Sequence, residues 1–162
     1  MIIHVINNNT LIIDDFNLKC CVGKNGLNSH KKEGDYSTPK GLFKLKKLFF
    51  RKDRVDSLNC KIKRTIITKN MGWCDDSSKK KYNQLTYIFN KKNKENFYRT
   101  DYKYDYLITI SHNDKNIPFK GSAIFIHLTK DYQPTAGCIA LKKKDFQIML
   151  RLIDQKSKIQ IG

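Results

Sequence analysis

The sequence lacks the marks of a membrane protein, a disulfide scaffold and a metalloprotein. No stretch approaches about 18 consecutive apolar residues, so no bilayer-spanning helix is written into it. The first ten residues, MIIHVINNNT, have neither a basic start nor an apolar run long enough for a Sec-type leader, and none is predicted in this chain. Cysteines are few and odd in number. Cys20, Cys21, Cys60, Cys74 and Cys138 include no CxxC pair and no histidine at a zinc-partner spacing, so no metal site is predicted and at least one thiol stays free. Free thiols without a leader suit a reducing compartment. Arginine is also scarce, at 5 of the 32 basic residues, and acidic residues number 15, for a net charge of +17. A nucleic-acid binder gathers its cations on one face or arm with Arg prominent. Here Lys is scattered from Lys19 to Lys158 beside 14 Asn and 19 Ile, the residues of A/T-rich codons. No specific nucleic-acid partner is predicted, although such a charge attracts any polyanion at low salt.

What remains is 162 residues and 19.0 kDa, one domain over 1–162 that buries about 70% of its unfolded surface without crosslinks. Short apolar runs at 2–6, 11–13, 19–23, 41–50, 61–68, 104–111, 122–128 and 158–161 read as strands. Asn7, Asn8 and Asn9 suit a tight hairpin because Asn tolerates positive φ, and residues 34–41, with Pro39, read as a turn. The lysine-rich stretch 75–96 reads as long loops and one short strand, ordered by Tyr82, Tyr87 and Phe89. Between 145 and 154, Phe146, Met149, Leu150 and Ile153 fall on one helical stripe. The predicted fold is mainly β with this one clear C-terminal helix, an α+β arrangement being the alternative.

Chemistry concentrates in residues 121–141, GSAIFIHLTKDYQPTAGCIAL. On a strand over 122–128, Ala123, Phe125 and His127 share a face, with His127 at the end. A loop through Pro134 returns the chain to Thr135, Ala136, Gly137 and Cys138. Gly137 removes a side chain where a backbone N–H must approach a ligand, as an oxyanion donor does. Cys138 opens the apolar run 139–141, and a thiol at the mouth of one strand beside a His ending another can form a thiolate–imidazole pair that attacks an acyl carbon. A buried Cys with an incidental His is the alternative. His112 is set apart by register: if 104–112 and 122–128 pair antiparallel, His127 faces Leu107 and His112 faces Ser122, roughly 16 Å away.

The segment resembles the catalytic signature of the YkuD-type L,D-transpeptidase family, a His followed after a loop by Ser/Thr-His-Gly-Cys-hydrophobic-Arg/Asn. His127, Thr135, Gly137, Cys138 and Ile139 match; Ala136 and Ala140 stand in place of the second His and the Arg/Asn, and the His-to-Cys interval is short. The likeness to the small, single-domain branch covers nearly the whole chain. It includes Gly34-Asp35 with Thr38-Pro39 and Gly41, the word Met71-Gly72-Trp73-Cys74-Asp75-Asp76 with Tyr82-Asn83, and Glu95, Arg99, Asp101, Tyr104 and Asp105. That branch itself tends to carry Ala before Gly-Cys.

The resemblance implies a YkuD-like β-sandwich that needs no cofactor or metal. Cys138 would be the nucleophile, held as thiolate by His127 as general base, with the N–H groups of Gly137 and Cys138 as oxyanion donors. Peptidoglycan stem peptides would be donor and acceptor, through a thioester. Thr135, Arg99, Trp73 and Tyr82 are the candidate substrate contacts. Arg99 also has Glu95 and Asp101 within salt-bridge reach, and Trp73 also suits a ring packed under a loop. Two other functions stay open: an L,D-carboxypeptidase or amidase with the same Cys138 and His127, and a basic polyanion-binding module without turnover. Oligomeric state is not legible. The absent leader points to the cytoplasm and the substrate class to the cell envelope.

Overall fold

A computed structural model of the chain describes residues 1–55, 59–87 and 95–162. In chain order its strands are β1 (Ile2–Val5), β2 (Thr10–Ile13), β3 (Phe16–Cys21), β4 (Leu27–Asn28), β5 (Thr38–Pro39), β6 (Gly41–Phe50), β7 (Arg64–Ile66), β8 (Met71–Trp73), β9 (Leu85–Tyr87), β10 (Glu95–Asn96), β11 (Tyr106–Ile110), β12 (Phe125–Leu128), β13 (Ile139–Leu141) and β14 (Lys158–Ile161). The helix α1 (Lys143–Leu152) lies between β13 and β14. The mainly β expectation holds, as does the C-terminal helix. The helix starts two residues earlier than its apolar stripe, and Ile153 caps it in an extended conformation while staying fully buried.

The large sheet runs β11-β12-β13-β3-β2-β1-β14-β6-β7, and β6 pairs with β11 as well. The Lys44 carbonyl accepts from the Ser111 N–H while the Leu45 N–H donates to the Ser157 carbonyl, so β11 and β14 lie on opposite edges of β6. Eight strands therefore form a closed ring, which leaves them no free sheet edge. The long strand β6 makes this possible: its first half pairs with β14, and its second half with β7 and β11, with a register irregularity opposite Thr109 and Ile110.

In β1, β2 and β14 alternate residues are buried, whereas β11, β12 and β13 are buried on both faces. Both-face burial is what a continuous apolar run requires. One face of these strands, with Tyr106, Ile108, Ile126, Leu128, Ile139 and Leu141, enters the main core with α1, where Phe146 stacks on Tyr106 at 5.4 Å between ring centroids. The other face, with Leu107, Phe125 and Cys138, packs against Phe49, Met71, Phe97 and Tyr104. This second face carries the candidate site.

Local differences from the sequence reading have physical causes. The Asn hairpin forms, but none of its three Asn has positive φ; Asn7 instead accepts the Asn9 N–H on its side-chain oxygen at 2.9 Å, while Asp14 takes the left-handed position in the next turn. The strand expected over 122–128 begins at Phe125 because Ala123 is left-handed, at φ 53°. Residues 38–39 are not a turn but the strand β5, parallel to β4. The stretch 75–96 contributes β9 and β10 to a small sheet ordered β10-β8-β9. Tyr82 is buried there, Tyr87 is exposed, and Phe89 lies outside the described residues.

Candidate active site

β11 and β12 pair with Leu107 opposite His127, the register expected from the hairpin arithmetic. β12 and β13 run parallel with Ile126 beside Ile139 and His127 beside Ala140. Cys138 thus sits level with Phe125, one pleat from His127 on the same face, a diagonal separation of about 7 Å between Cα atoms. His127, Cys138, Gly137, Thr135, Arg99 and Lys31 line one cleft of about 470 Å³. His112 is not among its lining residues; its Nε2 lies 3.0 Å from the Lys120 carbonyl and its ring packs edge-on to Phe43.

The Cys138 loop is fixed by side chains from far along the sequence. The Thr38 hydroxyl donates to the Gly137 carbonyl at 2.8 Å and accepts the Gly23 N–H at 2.8 Å. Thr135 donates to the Cys138 carbonyl at 2.6 Å and accepts the Gly137 N–H at 3.1 Å. Gly137 is needed for its φ of 146° and because a Cβ there would lie 2.9 Å from the Ser37 carbonyl oxygen. Its N–H is occupied by Thr135, whereas among the described residues no hydrogen bond engages the Cys138 N–H. Of the two N–H groups expected as oxyanion donors, that of Cys138 is the one without a partner among the described residues.

The imidazole is set by its backbone. Nδ1 of His127 lies 3.0 Å from the Leu128 carbonyl, which can only accept, so Nδ1 carries the proton and Nε2 keeps its lone pair. The ring packs edge-on to Tyr104 at 5.3 Å, and the Tyr104 hydroxyl donates to Glu95 at 2.6 Å. Burial pushes the His127 pKa down to about 4 and the Cys138 thiol up to about 12. Burial thus acts against the charged form of each, and so against the thiolate–imidazole pair expected from the sequence. The thiol donates to the Ala123 carbonyl at 3.2 Å and accepts the Phe125 N–H at 3.4 Å.

Of the four candidate substrate contacts, Thr135 and Arg99 line the cleft and Trp73 and Tyr82 do not. Arg99 makes a two-point pair with Asp101, at 2.9 and 2.7 Å, and a longer one with Glu95 at 3.6 Å. Trp73 packs among Phe97 and Phe125 and donates to the Asn83 side chain at 3.0 Å. Tyr82 reaches the cleft only through Glu33, whose carboxylate accepts from both Tyr82 and Ser122. Sequence reasoning gave no role to Thr38 beyond its family word, to Lys31, or to the Leu128 carbonyl. No local pattern signals a hydroxyl that acts across 99 residues or a backbone oxygen.

The family model of the L,D-transpeptidase catalytic domain, YkuD, matches residues 2–161, and the chain belongs to that peptidoglycan-directed family. Comparison with curated proteins and with solved structures gives no significant match. Among the described residues no helix is long and apolar enough to cross a membrane.

Proposed function

We propose that the protein is a cysteine L,D-transpeptidase that acts on peptidoglycan stem peptides through a Cys138 thioester. The observation that supports this best is the placement of His127 and Cys138 on one face of adjacent strands, over one cleft, with Nε2 left as the basic nitrogen. Attack begins at the carbonyl on the L side of an L,D peptide bond. Nε2 takes the Sγ proton as the S–C bond forms, and because both partners start neutral, proton transfer and attack are coupled. Charge moves to the carbonyl oxygen, where the Cys138 N–H donates. Collapse breaks the C–N bond, the imidazolium returns the proton to the departing amine, and the thioester remains. An acceptor amine then repeats the sequence in reverse to give a crosslink.

Incubation with a diaminopimelate tetrapeptide tests this directly, with mass spectrometry reading the acyl adduct on Cys138 and the crosslinked dimer. Cys138→Ala should give neither, and His127→Ala should lose about 10²- to 10⁴-fold in rate. One observation favours hydrolysis as the second reading. The loop of residues 128–134 is tied to β13 by the Thr129 N–H donating to the Leu141 carbonyl and turned by the Tyr132 N–H donating to the Thr129 hydroxyl, and a loop this short admits water as well as an amine. Tripeptide as the sole product at saturating acceptor would replace the transferase with a carboxypeptidase.

A further inference from the structure

Among the described residues of a chain with 27 lysines, Lys31 alone is buried, and it is buried at the nucleophile. Its side chain is 6% exposed. The aliphatic stem runs past two left-handed glycines: a Cβ at Gly121 would lie 3.0 Å from Lys31 Cγ and 3.2 Å from Cε, and one at Gly137 would lie 3.8 Å from Cε. Glycine at 121 leaves the channel in which the lysine lies, and glycine at 137 brings it against the Cys138 loop. The ammonium end is fastened. It donates to the Lys32 carbonyl at 2.8 Å and forms an ion pair with Asp35, which in turn accepts the Lys32 N–H at 2.8 Å and the Ser37 N–H at 2.9 Å. An ammonium has three donors, so one N–H is left after these two bonds.

A buried charge is costly to keep, and a lysine on the surface would carry no such cost. The Cys138 site also has a shortage that this charge would relieve. The family's second His and its Arg/Asn are Ala136 and Ala140 here, and the Gly137 N–H is bonded to Thr135.

We propose that Lys31 is a catalytic residue of this site, an electrophilic donor whose free N–H accompanies the Cys138 N–H in binding the acyl oxygen as negative charge develops on it. Lys31 donates a hydrogen bond and keeps its proton; the Sγ proton still passes to His127. The charge also favours the thiolate, since Lys31 is the cation that acts to lower the Cys138 pKa, while Asp35 is not among the main causes of its shift. The lysine Cε lies 3.8 Å from where a Gly137 Cβ would stand, which sets the lysine end of the ion pair against the Cys138 loop. This role rests on the acyl-transfer reading of the site.

The test compares the parent protein with Lys31→Met and with the double variant Lys31→Met/Asp35→Asn, which removes both charges together and so keeps the experiment valid if the single variant does not fold. Two quantities are read. The first is acylation by the diaminopimelate tetrapeptide, where loss of one oxyanion donor predicts a fall in kcat of about 10²-fold with KM changed by less than about threefold. The second is the ratio of Cys138 alkylation rates by anionic iodoacetate and neutral iodoacetamide, which a nearby fixed cation raises and which should fall several-fold in both variants. A rise in KM at unchanged kcat would make Lys31 a ground-state anchor and overturn the proposal, as would an alkylation ratio equal to that of the parent. If the parent turns over no stem peptide, the transpeptidase reading fails, and an unaltered alkylation ratio remains the result that removes Lys31 from the thiol.

Discussion

At the residue scale, the consequential property of His127 is its burial with no ion pair to a carboxylate among the described residues. With a folded pKa of about 4 against about 6.5 when unfolded, unfolding takes up a proton between those values. The contribution is therefore fully present above pH 6.5 and is lost as pH falls through about 4, a loss of about 3 kcal/mol between pH 7 and pH 4. Urea denaturation of the parent and of His127→Gln at both pH values should show the parent losing more stability by about that amount. Equal losses would place the imidazole in solvent. The same burial predicts a turnover profile that rises through about pH 4 and is then flat across neutrality, because the base is already free and the thiol, pushed up to about 12, does not ionise there. A profile centred near pH 6 to 7 would restore the thiolate–imidazolium pair. Sequence alone singled out this His and Cys but not the burial that opposes the charged form of each. Strand alternation shows which residues share a face, whereas the thickness of protein over that face comes from Phe97 and Tyr104, which pack from elsewhere in the chain.

At the scale of elements, β5 is the piece whose importance was least legible. Its Pro39 and the polar residues around it read as a turn, and a local reading has no access to the two buried bonds that the Thr38 hydroxyl makes to β3's end and to the Cys138 loop. Thr38→Val keeps the shape and removes both, leaving the Gly23 N–H and Gly137 carbonyl unpaired, at a cost of about 1–3 kcal/mol. Turnover should fall with KM little changed, and a urea midpoint with parallel kinetics checks both. Full activity in a destabilised Thr38→Val would confine the hydroxyl to a structural role. By contrast, β6, β13 and β14 were readable to the residue, because long alternation or a short apolar run bounded by polar residues leaves little choice of boundary. The pairing of β11 with β12 was readable as well, since one antiparallel hairpin fixes register over its whole length and so separates His112 from His127.

At the scale of the molecule, the net charge of +17 is spread along the chain, while the candidate site is a single cleft. These two properties come apart in salt. Retention on an anionic polymer should drop steeply between about 50 and 200 mM salt, whereas turnover of a small stem peptide should change little and stop on alkylation of Cys138. A protein that binds polymer, ignores alkylation and turns nothing over would be a docking module. Ring closure through β6 and β14 has a further consequence, in the order of synthesis. Cys138 precedes the last strand of the ring by about twenty residues, so the thiol is made before the ring can close. Purified protein cut short before residue 158 should take up an alkylating reagent at Cys138 faster than the 162-residue chain does, because β14 holds β6, and with it the Phe49 that packs in the Cys138 cluster, in the ring.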